Sequence, residues 1–326
     1  MTSSVKHVLI TSIGSTSAIS GAKSLRASKR GKYYIVGTDV HEPHEIPADV
    51  FCDAVYKVPF FDNPSYINSL QQICKKEIVK YLIPVIDQEV ESITIHLEAF
   101  EKMGITVIAS NHQTVAICND KYATWKTLKE KGIDTPRVFL PDEFSSIKKT
   151  HTGTYYMKPR RGVSSQDNFV ITNDDELALL RRRVKDPVLQ NTMIGDMYVV
   201  DVVNDRRGKN VVAVPRREYS AKSGLGVKAE TVSDRDVTEY AVAIAEALGI
   251  TGIANIEVFK NNDVISFIEI NPRLSAGAIL TTRAGVNLTE IAIDVFSGNK
   301  ISHERLQYKT GIYMTRYWQE AFHEKQ

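Results

Sequence analysis

Ile253-Ala254-Asn255-Ile256-Glu257-Val258-Phe259 and Val264-Ile265-Ser266-Phe267-Ile268-Glu269-Ile270-Asn271 are two β-prone runs, separated by the turn-forming Lys260-Asn261-Asn262-Asp263. Together they read as an antiparallel hairpin. Side chains alternate along a strand, so Asn255 and Glu257 share one face of the first run, and Glu269 and Asn271 share one face of the second. A register with Glu257 opposite Phe267 puts all four polar groups on one side and makes the glutamates diagonal neighbours, roughly 7–8 Å apart at the backbone. Like charges so placed on a half-buried sheet are unfavourable unless a cation sits between them. Oxygen ligands from two glutamates and an asparagine suit Mg2+, one ion or two, with Mn2+ an acceptable substitute. The competing reading is a solvated sheet face with incidental acids. Because Glu269 and Asn271 run straight into Pro272-Arg273 and a Ser-Ala-Gly turn, Glu257, Glu269 and Asn271 are the expected metal ligands.

Working outward, residues 1–112 alternate strand-like and helix-like segments: Val5 to Ile13, Ala18 to Lys29, Tyr33 to Gly37, Val79 to Ile86, Glu91 to Met103 and Ile105 to Ala109. That alternation predicts a parallel sheet covered by helices, with ligands at the C-terminal ends of its strands. The first turn is not a dinucleotide fingerprint, because Gly14 and Gly21 stand seven apart. Nor is it a Walker loop, because Ala22 intervenes between Gly21 and Lys23-Ser24. A plain strand-to-helix turn that touches a small substrate remains. Further on, Lys121 to Lys131 reads as a short polar helix ended by Gly132 and Pro136. Tyr155 to Pro159 is a strand that leads into the polar loop from Arg160 to Asn168. A lysine at a strand end before a Gly/Ser loop can hold phosphate through its charge, while loop N–H groups and hydroxyls donate. A solvated hairpin would look similar.

Glu269-Ile270-Asn271-Pro272-Arg273, with Glu257 twelve residues before it, resembles the metal-binding signature of the ATP-grasp superfamily, closest in style to the carbamoyl-phosphate synthase large subunit and biotin carboxylase branch. The similarity extends over most of the chain. Asn119-Asp120-Lys121 and Tyr156-Met157-Lys158-Pro159 resemble the two segments whose lysines contact nucleotide phosphates, and the loop with Gly162, Ser164 and Ser165 resembles the flap above them. The stretch from Val188 to Gly195, with Gln190, Asn191 and Met193, is similar to the hinge whose backbone reads adenine. The chain differs from the family's pattern at Asn191 and Met197, where glutamates are usual, and Asp196 stands beside the second.

The resemblance implies a Rossmann-like N-terminal α/β domain (1–112) followed by a two-lobed ATP-grasp domain of α+β character, with a lid lobe (113–187) and a metal-bearing lobe (188–326). It implies an ATP- and Mg2+-dependent ligase that activates a carboxylate as an acylphosphate for attack by an amine. A fragment that phosphorylates bicarbonate or carbamate is the alternative within the same chemistry. Lys121, Lys158, Gly162, Ser164, Ser165, Gln190, Asn191, Met193 and Asp196 are then the nucleotide contacts. Arg273 would steady the acylphosphate, since its planar fork matches an oxyanion. Arg217 and Lys228, from a basic loop-like stretch that contains Gly224 and Gly226, are assigned to the acid substrate or the γ-phosphate.

Composition narrows the alternatives. With 41 Lys and Arg against 39 Asp and Glu there is no electrostatic case for nucleic acid or an acidic membrane. Arg181-Arg182-Arg183 reads as a solvated helix face. Cys52, Cys74 and Cys118 are odd in number and far apart, which fits a reducing cytoplasm rather than a disulfide framework. The apolar run Val8-Leu9-Ile10 is too short for a signal segment or membrane span. Partners are expected to be small acid and amine substrates, with a homodimer admissible. Tyr122-Ala123-Thr124-Trp125-Lys126 fits the Tyr-x-x-x-Lys pattern of short-chain dehydrogenases, but the glycine fingerprint that family needs is absent. A nucleotide-binding module without turnover is the non-enzymatic rival, motivated by Asn191 and Met197.

Overall fold

The structure, a computed structural model, describes residues 5–144, 154–162, 166–222 and 224–323. Ser164 and Ser165 of the expected phosphate flap lie outside the described residues.

The chain opens with β1 (Lys6–Ile10), α1 (Thr16–Arg26), β2 (Tyr33–Asp39), β3 (Ala54–Lys57), α2 (Tyr66–Lys76) and β4 (Tyr81–Ile83). The helical stretch expected from Glu91 starts earlier and is two helices, α3 (Asp87–Thr94) and α4 (Leu97–Lys102), before β5 (Thr106–Val107). The strands form a wholly parallel sheet in the order β3-β2-β1-β4-β5. Val8, Leu9 and Ile10 are fully buried because helices cover both faces of this sheet. Strand order reverses between β1 and β4, so the crevice above their C-terminal ends is the switch point where such sheets take ligands. Asp87 and the first turn of α1 border that crevice.

α1 is capped by Ser15, whose side chain accepts from the Ala18 N–H. Gly21 is explained by packing: a Cβ there would stand 2.6 Å from Leu274 Cδ2. Ala18, Ala22 and Leu25 of α1 share one buried cluster with Leu274, Ala278, Leu288 and Ile291 from the end of the chain. The N-terminal sheet and the C-terminal lobe are thus fastened through a common core.

After α5 (His112–Cys118) and α6 (Lys121–Glu130) comes a small lobe of β6 (Tyr155–Pro159), β7 (Phe169–Ile171), α7 (Asp174–Arg183) and β8 (Pro187–Asn191). Its antiparallel sheet has the order β7-β6-β8 around a core of Phe139, Phe144, Met157, Ile171, Val184 and Leu189. That sheet runs to Asn191, past the boundary at 187 that the sequence suggests. Arg181, Arg182 and Arg183 are exposed in the last turn of α7, where positive charge complements the helix dipole.

The large lobe contains β9 (Asp196–Asn204), β10 (Asn210–Lys222), β11 (Leu225–Thr231), α8 (Arg235–Ala247), β12 (Gly252–Asn261), β13 (Val264–Asn271), α9 (Ala278–Ala284), α10 (Leu288–Phe296) and β14 (Tyr313–Thr315). The six strands pair antiparallel in the order β13-β12-β9-β10-β11-β14. The basic stretch from Arg216 to Lys228, read from sequence as a loop, is instead the β10–β11 hairpin, turning at Gly224 with φ +73°. The deciding hairpin forms as expected, with Asn262 in the left-handed region at its turn (φ +52°).

Candidate active site

The register of β12 and β13 differs from the diagonal arrangement read from sequence. Asn255 pairs with Asn271 and Glu257 pairs directly with Glu269, because a bulge next to Glu257 leaves Ile268 as an extra residue before Val258 meets Phe267. All four polar groups still share one face, and the two carboxylates are brought closer than a diagonal would bring them. Burial, with Glu269 opposite and Glu218 nearby, pushes the Glu257 carboxyl up to about 8. Arg216 and Arg273 already act on Glu257 from this face, and a divalent cation could be held between the two carboxylates as a further positive charge. Asn271 donates from Nδ2 to Asn255 Oδ1 at 3.1 Å and towards Glu257 Oε1 at 3.5 Å, while its Oδ1 accepts from Arg273 Nη2 at 3.3 Å, so its amide borders the carboxylates. Among the described residues no group of three or more His, Cys, Asp or Glu could hold a metal. The set here is two carboxylates and amides, which leaves coordination positions for phosphate oxygens and water, as Mg2+ prefers.

Lys158, in the middle of the lid sheet opposite Val188, is only 3% exposed. Burial, together with the Lys121 charge, lowers its ammonium to about 8 despite the pull of Glu269 and Glu257. The lysine therefore sits within the field of Glu257 and Glu269 across the gap between lobes. Lys121 Nζ donates to Gly162 O at 3.3 Å, so the helix lysine and the flap glycine meet at this gap. The flap is anchored from below. Arg160 Nε donates to both oxygens of Asp120 at 2.9 Å, and Arg161 Nη1 stands 3.1 Å from Glu91 of α3.

Gln190 is buried on β8 beside a narrow slot lined by Trp125, Pro136, Val138, Ile268 and Ile270. Its Nε2 donates weakly to Pro136 O at 3.5 Å, and its Oε1 has no partner among the described residues. The slot has a volume of only about 10 Å³ and Lys121 and Glu269 also line it, so the orphan acceptor can take a hydrogen bond from a small donor such as an amino group at its mouth. Asn191 is exposed at the end of β8 and Met193 is half-buried just beyond it. Asp196 is turned to an ion pair with Arg217 rather than to this slot.

On the other side of the carboxylates is a cavity of about 380 Å³, into which Ser17, Asp87, Arg216, Glu218, Glu257 and Glu269 project. Arg273 lines it too, with Nε and Nη2 clasped to Asp87 at 2.9 and 3.3 Å and Nη1 on Leu274 O. Of the arginines proposed from sequence, Arg217 is not brought here. Strand alternation sends Arg216 and Glu218 inward, while Arg217 faces the opposite side, on Asp196 and against Tyr219. Lys228 is exposed and does not line the cavity. Sequence reasoning missed Arg216, Glu218, Asp201, Ser275, Ser17 and Asp87. Period-two alternation through Arg216-Arg217-Glu218 would have separated the inward pair from Arg217, had the stretch been read as strand.

The model of the family described as "ATP-grasp in the biosynthetic pathway with Ter operon" matches residues 183–319, which include β9 to β14 and the Glu257–Glu269 pair. The chain carries an ATP-grasp domain. A PylC-like N-terminal domain precedes it, matched over residues 8–108. The carbamoyl phosphate synthase large chain of Thermotoga neapolitana is 24% identical over 300 residues, 84% of this chain and 27% of its own length. The chain thus spans about a quarter of the curated relatives it matches. The biotin carboxylase domain of Hydrogenobacter thermophilus 2-oxoglutarate carboxylase, solved as a dimer with MgADP, ADP and bicarbonate, superposes with a TM-score of 0.74 at 17% identity, over 94% of this chain and 73% of that one. An L-amino acid ligase from Bacillus licheniformis gives 0.69 at 13% identity, over 93% and 77%. These likenesses establish the α/β architecture of the ATP-grasp domain and its N-terminal partner. The relatives so named are enzymes.

Proposed function

We propose that this ATP-grasp protein is an ATP- and Mg2+-dependent ligase that activates a carboxylate as an acylphosphate and joins it to an amine. The observation that carries the reading is the directly opposed Glu257–Glu269 pair with Lys158 within its field. Glu257, Glu269 and Asn271 would hold the metal, which when bound supplies charge stabilisation to the phosphates. Lys121 and Lys158 would hold the phosphates, and the Gln190 slot the base, with Asn191, Met193 and Asp196 at its margin. Named crystal complexes of the fold contain MgADP or a β,γ-ATP ligand, which supports ATP as the nucleotide; Mn2+ could replace Mg2+.

In the first step a carboxylate oxygen bonds the γ-phosphorus and ADP leaves. In the second the amine nitrogen bonds the acyl carbon, the carbon–oxygen bond to phosphate breaks, and a proton leaves the nitrogen. Arg273 borders the cavity where the acylphosphate would lie, with Asp87 fixing its orientation. Arg216 replaces Arg217 and Lys228 as the cation facing that cavity. Bicarbonate or carbamate phosphorylation is a second reading, favoured by the synthase large chains among the relatives. No described helix is long and apolar enough to cross a membrane. A cytoplasmic setting and a homodimer belong to the proposal. A phosphate-release screen of acid–amine pairs with ATP and Mg2+ tests it: release that needs both substrates supports the ligase, and release with bicarbonate alone supports the second reading.

A further inference from the structure

Beyond the metal pair the cavity reaches Glu218, and we infer that this carboxylate recognises the ammonium of a cationic primary-amine substrate with an apolar body, an amino acid or an alkylamine. The inference rests on the ligase reading and deepens it by naming the class of nucleophile, whose ammonium gives one proton to the Glu218 carboxylate before the nitrogen attacks and loses a second as the amide forms.

Glu218 and Glu257 flank β9 on the same face. Glu218 pairs with Met197 and Glu257 with Val199, two residues apart on the shared neighbour. The Glu218 side chain is 12% exposed, and that exposure is to the cavity. Its contact with a cation is a long one, Oε1 to Arg216 Nε at 3.3 Å. Arg216 is held more closely elsewhere: Nη1 lies 2.5 Å from Asp201, which also accepts from Ser275 and Thr281 at 2.7 Å. Among the described residues Glu218 Oε2 accepts no hydrogen bond. Arg316, outside the cavity lining, is committed to the carbonyls of Gly226 and Ala276.

The Glu218 carboxylate opens to the cavity, and an incoming ammonium there would form a charge-assisted bond with it. The backbone makes room for this group. A Cβ on Gly226 would lie 2.5 and 2.7 Å from the two Glu218 oxygens, and one on Gly277 would lie 2.5 Å from the Arg216 guanidinium. Neither glycine has a positive φ, so space rather than conformation requires them. Around Glu218 the wall is formed by Met197, Ala221 and Leu225, which would cover an aliphatic stem.

The test uses the full chain and two readouts. In titration calorimetry with a panel of primary alkylamines and the common amino acids, at least one member should bind the wild type, and Glu218→Gln should weaken it about tenfold or more. Glu218→Asp should recover part of that loss, and Gly226→Ala, which displaces the carboxylate without removing it, should reproduce the defect. In the acid-dependent reaction, the variant should lose about tenfold more with the cationic amine than with hydroxylamine, which is neutral near pH 7. Absence of amine binding by the wild type, or unchanged binding in Glu218→Gln, would overturn the inference, as would equal losses with both nucleophiles. Amine binding that depends on Glu218 without acid-dependent phosphate release would uphold this site and overturn the ligase reading instead.

Discussion

Arg273 grips Asp87 through two parallel hydrogen bonds, Nε to Oδ1 at 2.9 Å and Nη2 to Oδ2 at 3.3 Å, although the residues lie 186 positions apart. Asp87 opens α3 at the switch point of the parallel sheet, and Arg273 follows just after β13. The pair therefore locks the N-terminal sheet to the Asn271 end of β13. Bidentate geometry makes it one of the stronger kinds of ion pair. Removing one partner leaves the other charge largely buried. Asp87→Ala should cost about 3 kcal/mol in a denaturant melt, and the double variant with Arg273→Met should recover part of it. Purely additive losses would show that the two residues are not coupled.

Glu257 sets a pH dependence on the metal-free protein. Its folded carboxyl is raised above the unfolded value, so its contribution is fully present below the ordinary carboxylate range and is lost as pH rises through about 8. Glu257→Gln removes that loss. The variant should melt higher than wild type in EDTA on the alkaline side of the window, with the difference shrinking toward acid. Mg2+ should stabilise wild type far more than the variant. Parallel melting curves across that pH range check both points, and identical curves would contradict the facing-carboxylate geometry.

Lys158 is a buried ammonium whose value is lowered to about 8, so the folded state disfavours its charged form and gains stability as pH rises from there toward the unfolded value. Lys158→Met should flatten that alkaline rise and raise the midpoint near neutrality, while cutting ATP-dependent turnover by about two orders of magnitude or more. Stability gained together with activity lost is the signature of a charge kept for its ligand. A variant with wild-type turnover would remove Lys158 from the site.

Among the described residues Gln190 Oε1 has no hydrogen-bond partner, and on the proposed function it faces the base. Gln190→Leu should lower the preference for ATP over GTP by about tenfold, read as a ratio of kcat/KM values, with little change in fold stability. An unchanged ratio would place the base elsewhere.

Much of this was legible in the sequence where periodicity and turn chemistry agree. Alternation in Ile253–Asn271 set Asn255, Glu257, Glu269 and Asn271 on one face before any coordinates, and the turn at Asn262 has the residue that a left-handed position favours. The bulge that opposes the two glutamates was not legible, because one extra residue in a strand leaves no compositional mark. Arg216–Lys228 was misread because Ser, Gly and Lys dominate a stretch that neighbouring strands nevertheless draw into a sheet. That misreading chose Arg217 over Arg216, one residue and one sheet face apart. The Asp87–Arg273 clasp joins two distant segments and could be found only in three dimensions.

Transfer of a labelled oxygen tests the central claim most directly. With an acid substrate carrying oxygen-18 in its carboxylate, together with ATP, Mg2+ and an amine, the released phosphate should contain one labelled oxygen, and Glu269→Gln should release almost none. Phosphate that leaves the wild-type protein unlabelled would contradict acylphosphate formation over the Glu257–Glu269 pair.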